Sequence, residues 1–271
     1  MQDLNIAFIG AGNMAFSLIK GLLNAGVPPA QLHASDPVAA QLERLEVLGV
    51  HTATDNDAVS RGADVVLLAV KPQVLGAVLT PLALHREQLL VSIAAGVPVA
   101  SLARWTAADQ PIVRCMPNTP ALLGAGVTAM FANAAVSAAQ RDTAMALLGA
   151  AGKALWVSDE ALLDAVTAVS GSGPAYFFYL MEAMIAAGTA LGLDAETATE
   201  LTLETAYGAA LMARQRTSSP AALRVAVTSP GGTTERALSI LDAAGTRATI
   251  ATALTGAAQR AQELAEEFGQ S

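Results

Sequence analysis

Two glycine-containing segments have residue types that can bind negatively charged groups. The first, residues 10–15 (GAGNMA), follows an apolar run that predicts a buried strand, and a helical pattern begins within it. Its glycines permit a tight turn and a close approach of the backbone to a pyrophosphate, and the helix start offers unbonded N–H groups. This order of strand, glycine-rich turn and helix predicts a dinucleotide-binding site.

The second segment, residues 227–235 (VTSPGGTTE), combines two glycines with four hydroxyl residues at the start of another predicted helix. Backbone N–H groups and hydroxyls in such a position can bind a carboxylate. The alternative is a purely structural helix cap, with Glu235 in the first turn. We favour an anion site, because the segment has more glycines and hydroxyls than a cap needs.

Ser35 and Asp36 lie at the end of the second predicted strand, where a residue that contacts the adenosine ribose is expected. Asp36 would accept a hydrogen bond from the 2′-hydroxyl of NAD, whereas Ser35 would donate one to the 2′-phosphate of NADP. The nearest arginine is Arg44. Since an ordinary Asp–Pro turn would explain the same residues, the sequence leaves the choice of cofactor open at this point.

Three further polar residues follow or end predicted strands. Lys71 would contact a phosphate or ribose of the cofactor, or else be an ordinary lysine at the end of a strand. Asn118, in a loop stiffened by Pro117 and Pro120, is a candidate for binding a carboxamide or the substrate. Cys115 has no histidine near it in the sequence, and we interpret it as a small buried apolar residue rather than a nucleophile.

The elements that must position these residues alternate in the first half of the chain. Seven short apolar runs predict strands separated by helices, as in a parallel sheet covered on both faces. The predicted strands are 4–9, 32–35, 64–70, 89–94, 111–115, 126–131 and 154–157. The predicted fold class is therefore α/β, with an N-terminal Rossmann-type domain over residues 1–158.

Residues 159–271 have helical patterns only, which predict an all-helical second domain. The predicted helices are 160–169, 174–191, 195–214, 233–243 and 245–268, and we interpret Gly192 and Pro220 as stop signals. Helices that are apolar on nearly all sides must be buried. We therefore predict that this domain packs against a second copy of the chain.

Composition limits the other partners and the compartment. Charged residues make up 14% of the 271 residues and the net charge is −8, which argues against nucleic acid and anionic membranes. The apolar run 175–193 contains Glu182, so we expect a buried helix there and no membrane span. One cysteine and three histidines argue against a disulfide framework and a metal site. With no N-terminal signal pattern, the cytoplasm is the expected compartment.

Six motifs, taken together, are similar to those of a known family. FIGAGNMA, AVKP, SIAAG, RCMPNTP, SGSGPAY and VTSPGGTTERAL occur in this order over nearly the whole sequence. The chain thereby resembles the pyrroline-5-carboxylate reductases, and the last motif is the most specific to them. The resemblance implies hydride transfer from NADPH, with NADH as the alternative, to the C=N carbon of pyrroline-5-carboxylate, giving L-proline. It also implies a helical domain that interlocks with a second subunit in a homodimer, which higher oligomers such as a decamer could contain.

The resemblance assigns roles to individual positions. Thr234 would be the catalytic residue, hydrogen-bonded to the ring nitrogen. The substrate-carboxylate loop would consist of Ser229, Gly231, Gly232, Thr233 and Thr234. The cofactor would contact Gly10, Gly12, Asn13 and Met14 at the pyrophosphate, Ser35, Asp36 and Asn56 at the ribose or 2′-phosphate, and Ala69, Val70, Lys71, Pro72, Ala94 and Ala95 beside the nicotinamide. Asp36 departs from the pattern, because some NADP-preferring members have a serine or a basic residue there.

Two other functions fit the same architecture less well. β-Hydroxyacid dehydrogenases have a catalytic lysine one helical turn after a glycine-rich junction, but residues 173–178 contain none. Carbonyl reduction without a lysine or histidine acid is difficult, whereas a cyclic imine can take its proton from solvent. A cofactor-binding sensor would not need a second anion site at residues 229–234. Imine reduction is therefore the favoured function.

Overall fold

The computed structural model describes residues 4–269, in which an eight-stranded sheet is combined with α-helices. The strands are β1 Ile6–Ile9, β2 Leu32–Ser35, β3 His51–Ala53, β4 Val65–Leu68, β5 Leu89–Ser92, β6 Ile112–Met116, β7 Gly126–Ala132 and β8 Gly152–Trp156. The helices are α1 Asn13–Asn24, α2 Ala39–Glu46, α3 Asn56–Ser60, α4 Leu75–Leu79, α5 Val99–Arg104, α6 Ala138–Gly149, α7 Leu162–Val166, α8 Gly173–Ala190, α9 Ala195–Arg214, α10 Pro220–Ala226, α11 Thr233–Ala243 and α12 Thr246–Gly269.

The chain divides into two compact units. Within residues 4–269, the first unit comprises the residues up to Ser172 together with those from Gly256 onward, and it contains the whole sheet. The second unit, Gly173–Thr255, is entirely helical. The predicted class, a Rossmann-type α/β part followed by a helical part, is confirmed. None of the helices described between residues 4 and 269 is long and apolar enough to cross a membrane.

The sheet has the order β3-β2-β1-β4-β5-β6-β7-β8. Its strands alternate side chains between two apolar layers: Phe8 belongs to the cluster that includes Leu18 of α1, and Ile9 to the cluster that includes Leu75 of α4. All four residues of β1 are at most 1% exposed. Continuous apolar runs therefore predicted the central strands well, since these strands are buried on both faces.

The expectation of a wholly parallel sheet is wrong at one end. Strands β1 to β6 are all parallel to one another. Strand β7 runs antiparallel to β6, and β8 is parallel to β7. Only residues 117–125 connect β6 to β7, and they contain a 3₁₀ turn, Thr119–Leu123. A parallel crossover needs about a dozen residues or more, so the short connection favours an antiparallel return.

Three local predictions also need correction. Strand β3 was not predicted, because its residues are exposed or half-buried at the sheet edge and form no apolar run. Pro220 begins α10 rather than ending a helix, since proline lacks only an N–H that the first turn leaves unbonded. The predicted helix 160–169 consists of α7 and a π-helical turn, Thr167–Gly171.

Candidate active site

The glycine-rich turn after β1 has the backbone geometry that a pyrophosphate requires. Gly10 has φ +94°, and a Cβ there would lie 2.8 Å from the carbonyl oxygen of Ala69. Gly12 is the N-cap of α1, no side chain caps that helix, and a Cβ at Gly12 would meet nothing within 4 Å. The first-turn N–H groups of α1 and the space in front of Gly12 are therefore available to an anionic ligand.

The predicted cofactor residues of the first unit come together at the carboxyl ends of the parallel strands. Ile9 of β1 is paired with Ser35 on one side and with Leu68 on the other, and Leu68 is paired with Ser92. The segments that follow these strands thus begin side by side. They carry the cofactor positions predicted near the strand ends: Gly10, Gly12, Asn13, Met14, Asp36, Ala69, Val70, Lys71, Pro72, Ala94 and Ala95. Their individual roles toward a cofactor stay predictions.

Asp36 braces the glycine-rich turn. Its Oδ2 accepts a hydrogen bond from the N–H of Ala11 at 2.8 Å, and its Oδ1 accepts one from the N–H of Val38 at 2.9 Å. The Ser35 hydroxyl donates to Oδ1 of Asn56 at 2.7 Å, so two predicted ribose residues are in direct contact. The structural turn that the sequence left open for Asp36 is thus present, and it links β2 to the loop after β1.

Asn118 connects three parts of the first unit. Its Oδ1 accepts from the N–H of Val127, and its Nδ2 donates to the carbonyl of Ser170 in the π-helical turn. The side chain is almost completely buried. Its amide therefore has a structural role in the first unit, and its expected role toward a ligand stays a prediction.

A buried ion pair in the first unit was not found from the sequence. Arg114 of β6 donates to Oε1 of Glu160 at 2.8 Å, and the same oxygen accepts from the N–H of Val99. Burial raises the pKa of the neighbouring Asp164. The positive charge of Arg114 acts in the opposite direction and reduces this rise. Because 46 residues separate the two partners, no local spacing indicates the pair.

Cys115 should be inert toward thiol reagents in the native protein. Burial raises the pKa of its thiol far above the ordinary range, although the charge of Arg114 acts in the opposite direction. A thiolate is the reactive form, and burial disfavours it. Treatment with a disulfide reagent such as dithiobis-nitrobenzoate should label the guanidinium-unfolded chain rapidly and the native protein hardly at all. Equally fast labelling of the native protein would contradict this prediction.

The segment 227–235 in the second unit combines a helix cap with available donors. Gly231 has φ +72°, and its N–H donates to Oε2 of Glu235 at 2.6 Å, so part of the capping alternative is present. Gly232 is the N-cap of α11, and no side chain caps it. Within residues 4–269, the hydroxyls of Ser229, Thr233 and Thr234 have no hydrogen-bond partner. The loop therefore offers hydroxyls and first-turn N–H groups suited to a carboxylate.

Comparison with known proteins decides which family has this combination of loops. The chain is 56% identical over 275 aligned positions to the pyrroline-5-carboxylate reductase of Pseudomonas aeruginosa, and the alignment covers 100% of both chains. This chain belongs to the pyrroline-5-carboxylate reductase family. The family predicted from the motifs is thus confirmed.

Family models and solved structures agree with this membership. Residues 160–264 match the model described as pyrroline-5-carboxylate reductase dimerisation, and residues 5–96 match the model described as NADP oxidoreductase, coenzyme F420-dependent. A pyrroline-5-carboxylate reductase structure from Coxiella burnetii has a TM-score of 0.92 at 42% identity, covering 96% of this chain and 98% of that one. The Plasmodium falciparum pyrroline carboxylate reductase, solved with NADP bound, has a TM-score of 0.86 at 27% identity, covering 98% and 99%.

Proposed function

We propose that this chain reduces L-1-pyrroline-5-carboxylate to L-proline with NADPH, the last step of proline biosynthesis. The observation that carries the proposal is the 56% identity over the full length to a pyrroline-5-carboxylate reductase. The two glycine-rich helix starts support it, because the reaction needs one site for a pyrophosphate and another for a carboxylate. NADH is the alternative reductant.

The first unit would hold the cofactor. The open first turn of α1 and the space at Gly12 fit a pyrophosphate. Ser35, Asp36 and Asn56 would surround the ribose or 2′-phosphate, and residues 69–72 with Ala94 and Ala95 would flank the nicotinamide. When bound, the reduced nicotinamide supplies the hydride. The residues of the unit bind and orient it.

The second unit would hold the substrate. The first-turn N–H groups of α11 and the hydroxyls of Ser229 and Thr233 would bind its carboxylate, with Gly231 and Gly232 allowing close approach. Thr234 would hydrogen-bond the ring nitrogen. Since the imine nitrogen can be protonated by solvent, orientation is the main task of these residues. The absence of lysine and histidine from residues 173–255 is compatible with imine reduction and disfavours the β-hydroxyacid alternative.

We further propose a domain boundary after residue 158, a homodimer formed through residues 159–271, and a cytoplasmic site of action. The boundary is supported by the end of β8 at Trp156 and by the dimerisation model, which begins at residue 160. The compact units divide later, after Ser172, so α7 and the π-helical turn would belong to the second domain by sequence and to the first unit by packing. The homodimer is supported by the aromatic side chains at the start of α8: Phe177, Phe178 and Tyr179 are each more than half exposed in the single chain. A decamer built from such dimers stays a prediction. The cytoplasmic proposal is supported by the single cysteine, since the chain has no internal disulfide that would require an oxidising compartment.

The Thr234→Ala variant tests the substrate site. Removing the hydroxyl should lower kcat by about 10- to 100-fold, because one orienting hydrogen bond to the reacting ring is lost. The affinity for NADPH and the unfolding midpoint should stay unchanged. The control is Thr252→Ala, since among the described residues the Thr252 hydroxyl bonds only to the carbonyl of Ala248 in its own helix. Wild-type kcat in Thr234→Ala would remove Thr234 from the reaction.

A further inference from the structure

Arg44 of α2 is fixed beside the first turn of α1. Its Nη1 donates to Oδ1 of Asn13 at 3.2 Å and to Oε1 of Gln41 at 3.0 Å. Its guanidinium carbon lies 4.2 Å from the ring centroid of Phe16, one turn along α1 from Asn13. A stacked and hydrogen-bonded arginine has lost much of its side-chain freedom, so a ligand that binds it incurs little further ordering cost.

The charge of Arg44 is not neutralised by a carboxylate. In the part of the chain that the structure describes, ion pairs with Asp or Glu are seen at Arg86, Arg114, Arg247 and Arg260. Among the residues described, Arg44 has no such partner, and the two side chains that accept from it are uncharged amides. Its Nε and Nη2 groups have no acceptor within residues 4–269. An exposed guanidinium with unused donors is suited to a phosphate.

The surroundings of Arg44 are those expected for the adenosine end of a dinucleotide. Asn13 belongs to the predicted pyrophosphate loop, and the neighbouring strand end carries Ser35 and Asp36. Asp36 places a negative charge there, and its oxygens already accept from the backbone N–H groups of Ala11 and Val38. A ligand with an additional phosphate at this position would need a compensating cation.

We infer that Arg44 binds the 2′-phosphate of NADPH and is the residue that makes the chain prefer NADPH over NADH. This inference rests on the proposed use of a nicotinamide dinucleotide and adds the residue that discriminates between the two forms. A 2′-phosphate carries about two negative charges near neutral pH, and NADH has a neutral hydroxyl in its place. The interaction with Arg44 is therefore available to one cofactor only.

Calorimetric titration of the full-length wild type and variants with NADPH and with NADH, without imine, tests the inference. In Arg44→Ala the Kd for NADPH should rise by about 10- to 100-fold, the usual effect of losing a charge-assisted hydrogen bond. The Kd for NADH should change by less than about threefold. Arg44→Gln should behave in the same way while keeping an amide donor beside Asn13, so it decides the matter if the alanine variant folds poorly.

Two controls make the outcome specific. Arg86→Ala removes an exposed arginine that precedes the amino end of β5, whereas the cofactor loops follow the carboxyl ends of the strands. It should leave both affinities unchanged. Arg44→Lys keeps the positive charge but lacks the planar pair of guanidinium N–H donors, and it should retain part of the preference for NADPH over NADH. Equal weakening of both cofactors in Arg44→Ala and Arg44→Gln, or unchanged NADPH binding, would overturn the inference. Because no imine is present, failure of proline formation would contradict the proposed function without affecting this result.

Discussion

Replacing Gly12 with valine should abolish NADPH binding and leave the fold intact. A side chain at Gly12 would enter space that the protein itself does not use, since outside its own stretch of chain no heavy atom lies within 4 Å of the added Cβ. That space is where the pyrophosphate must approach the backbone. We expect the Kd for NADPH to rise by more than about 100-fold, corresponding to more than about 2.7 kcal/mol. Calorimetric titration and thermal unfolding of the same sample measure both parts of the prediction.

The matched control for this experiment is Gly62→Val. Gly62 also has open space around an added Cβ. It precedes the amino end of β4, whereas the cofactor loops follow the carboxyl ends of the strands. The control should therefore bind NADPH like the wild type. Normal NADPH titration in Gly12→Val would show that the pyrophosphate does not bind at this turn. A large fall in the unfolding midpoint of Gly12→Val would contradict the claim that the protein tolerates the side chain.

Replacing Glu160 with alanine should cause a large loss of stability. Its partner Arg114 has a side chain only 8% exposed, and Glu160 also accepts the N–H of Val99. The variant would leave a buried guanidinium and a backbone donor unpaired, which costs about 3–5 kcal/mol when a buried pair is broken. Urea unfolding at a fixed protein concentration measures the change, since self-association would otherwise shift the midpoint.

A double variant separates the ion pair from general packing at this place. Arg114→Met combined with Glu160→Met removes both charges and keeps apolar volume, so it should recover most of the stability lost in Glu160→Ala. The exposed pair Arg86–Asp109 is the control, and Asp109→Ala should cost less than about 1 kcal/mol. A loss in Glu160→Ala no larger than in Asp109→Ala would mean that the buried pair does not stabilise the first unit.

The parts of the fold predicted well from the sequence are those coded locally. The core strands form continuous apolar runs because both faces are covered, and the glycine-rich turn is recognised by the strand before it and the helix after it. Strand β7 was predicted but its antiparallel direction was not, because an apolar strand has the same pattern in either direction. Its direction is set by the length of the connection to β6.

The residues that were missed depend on contacts between distant parts of the chain. The sequence identifies Arg44 only as the nearest arginine to Asp36, although the spacing of Gln41 and Arg44 places them on one helix face. Its contacts with Asn13 and Phe16 require the packing of α2 beside α1, which no sequence motif predicts. The pair Arg114–Glu160 is hidden for the same reason. Asp36 shows the converse, since a residue in a recognised position also has a structural role in the turn.

The central claim, imine reduction, is tested most directly by turnover of the purified protein. The absorbance of NADPH would be followed with and without pyrroline-5-carboxylate, the product would be identified as proline, and the experiment would be repeated with NADH. We predict cofactor oxidation that depends on the imine, yields proline in equal amount and is faster with NADPH at low cofactor concentration. Protein that binds NADPH in a titration but forms no proline with either cofactor would contradict the claim.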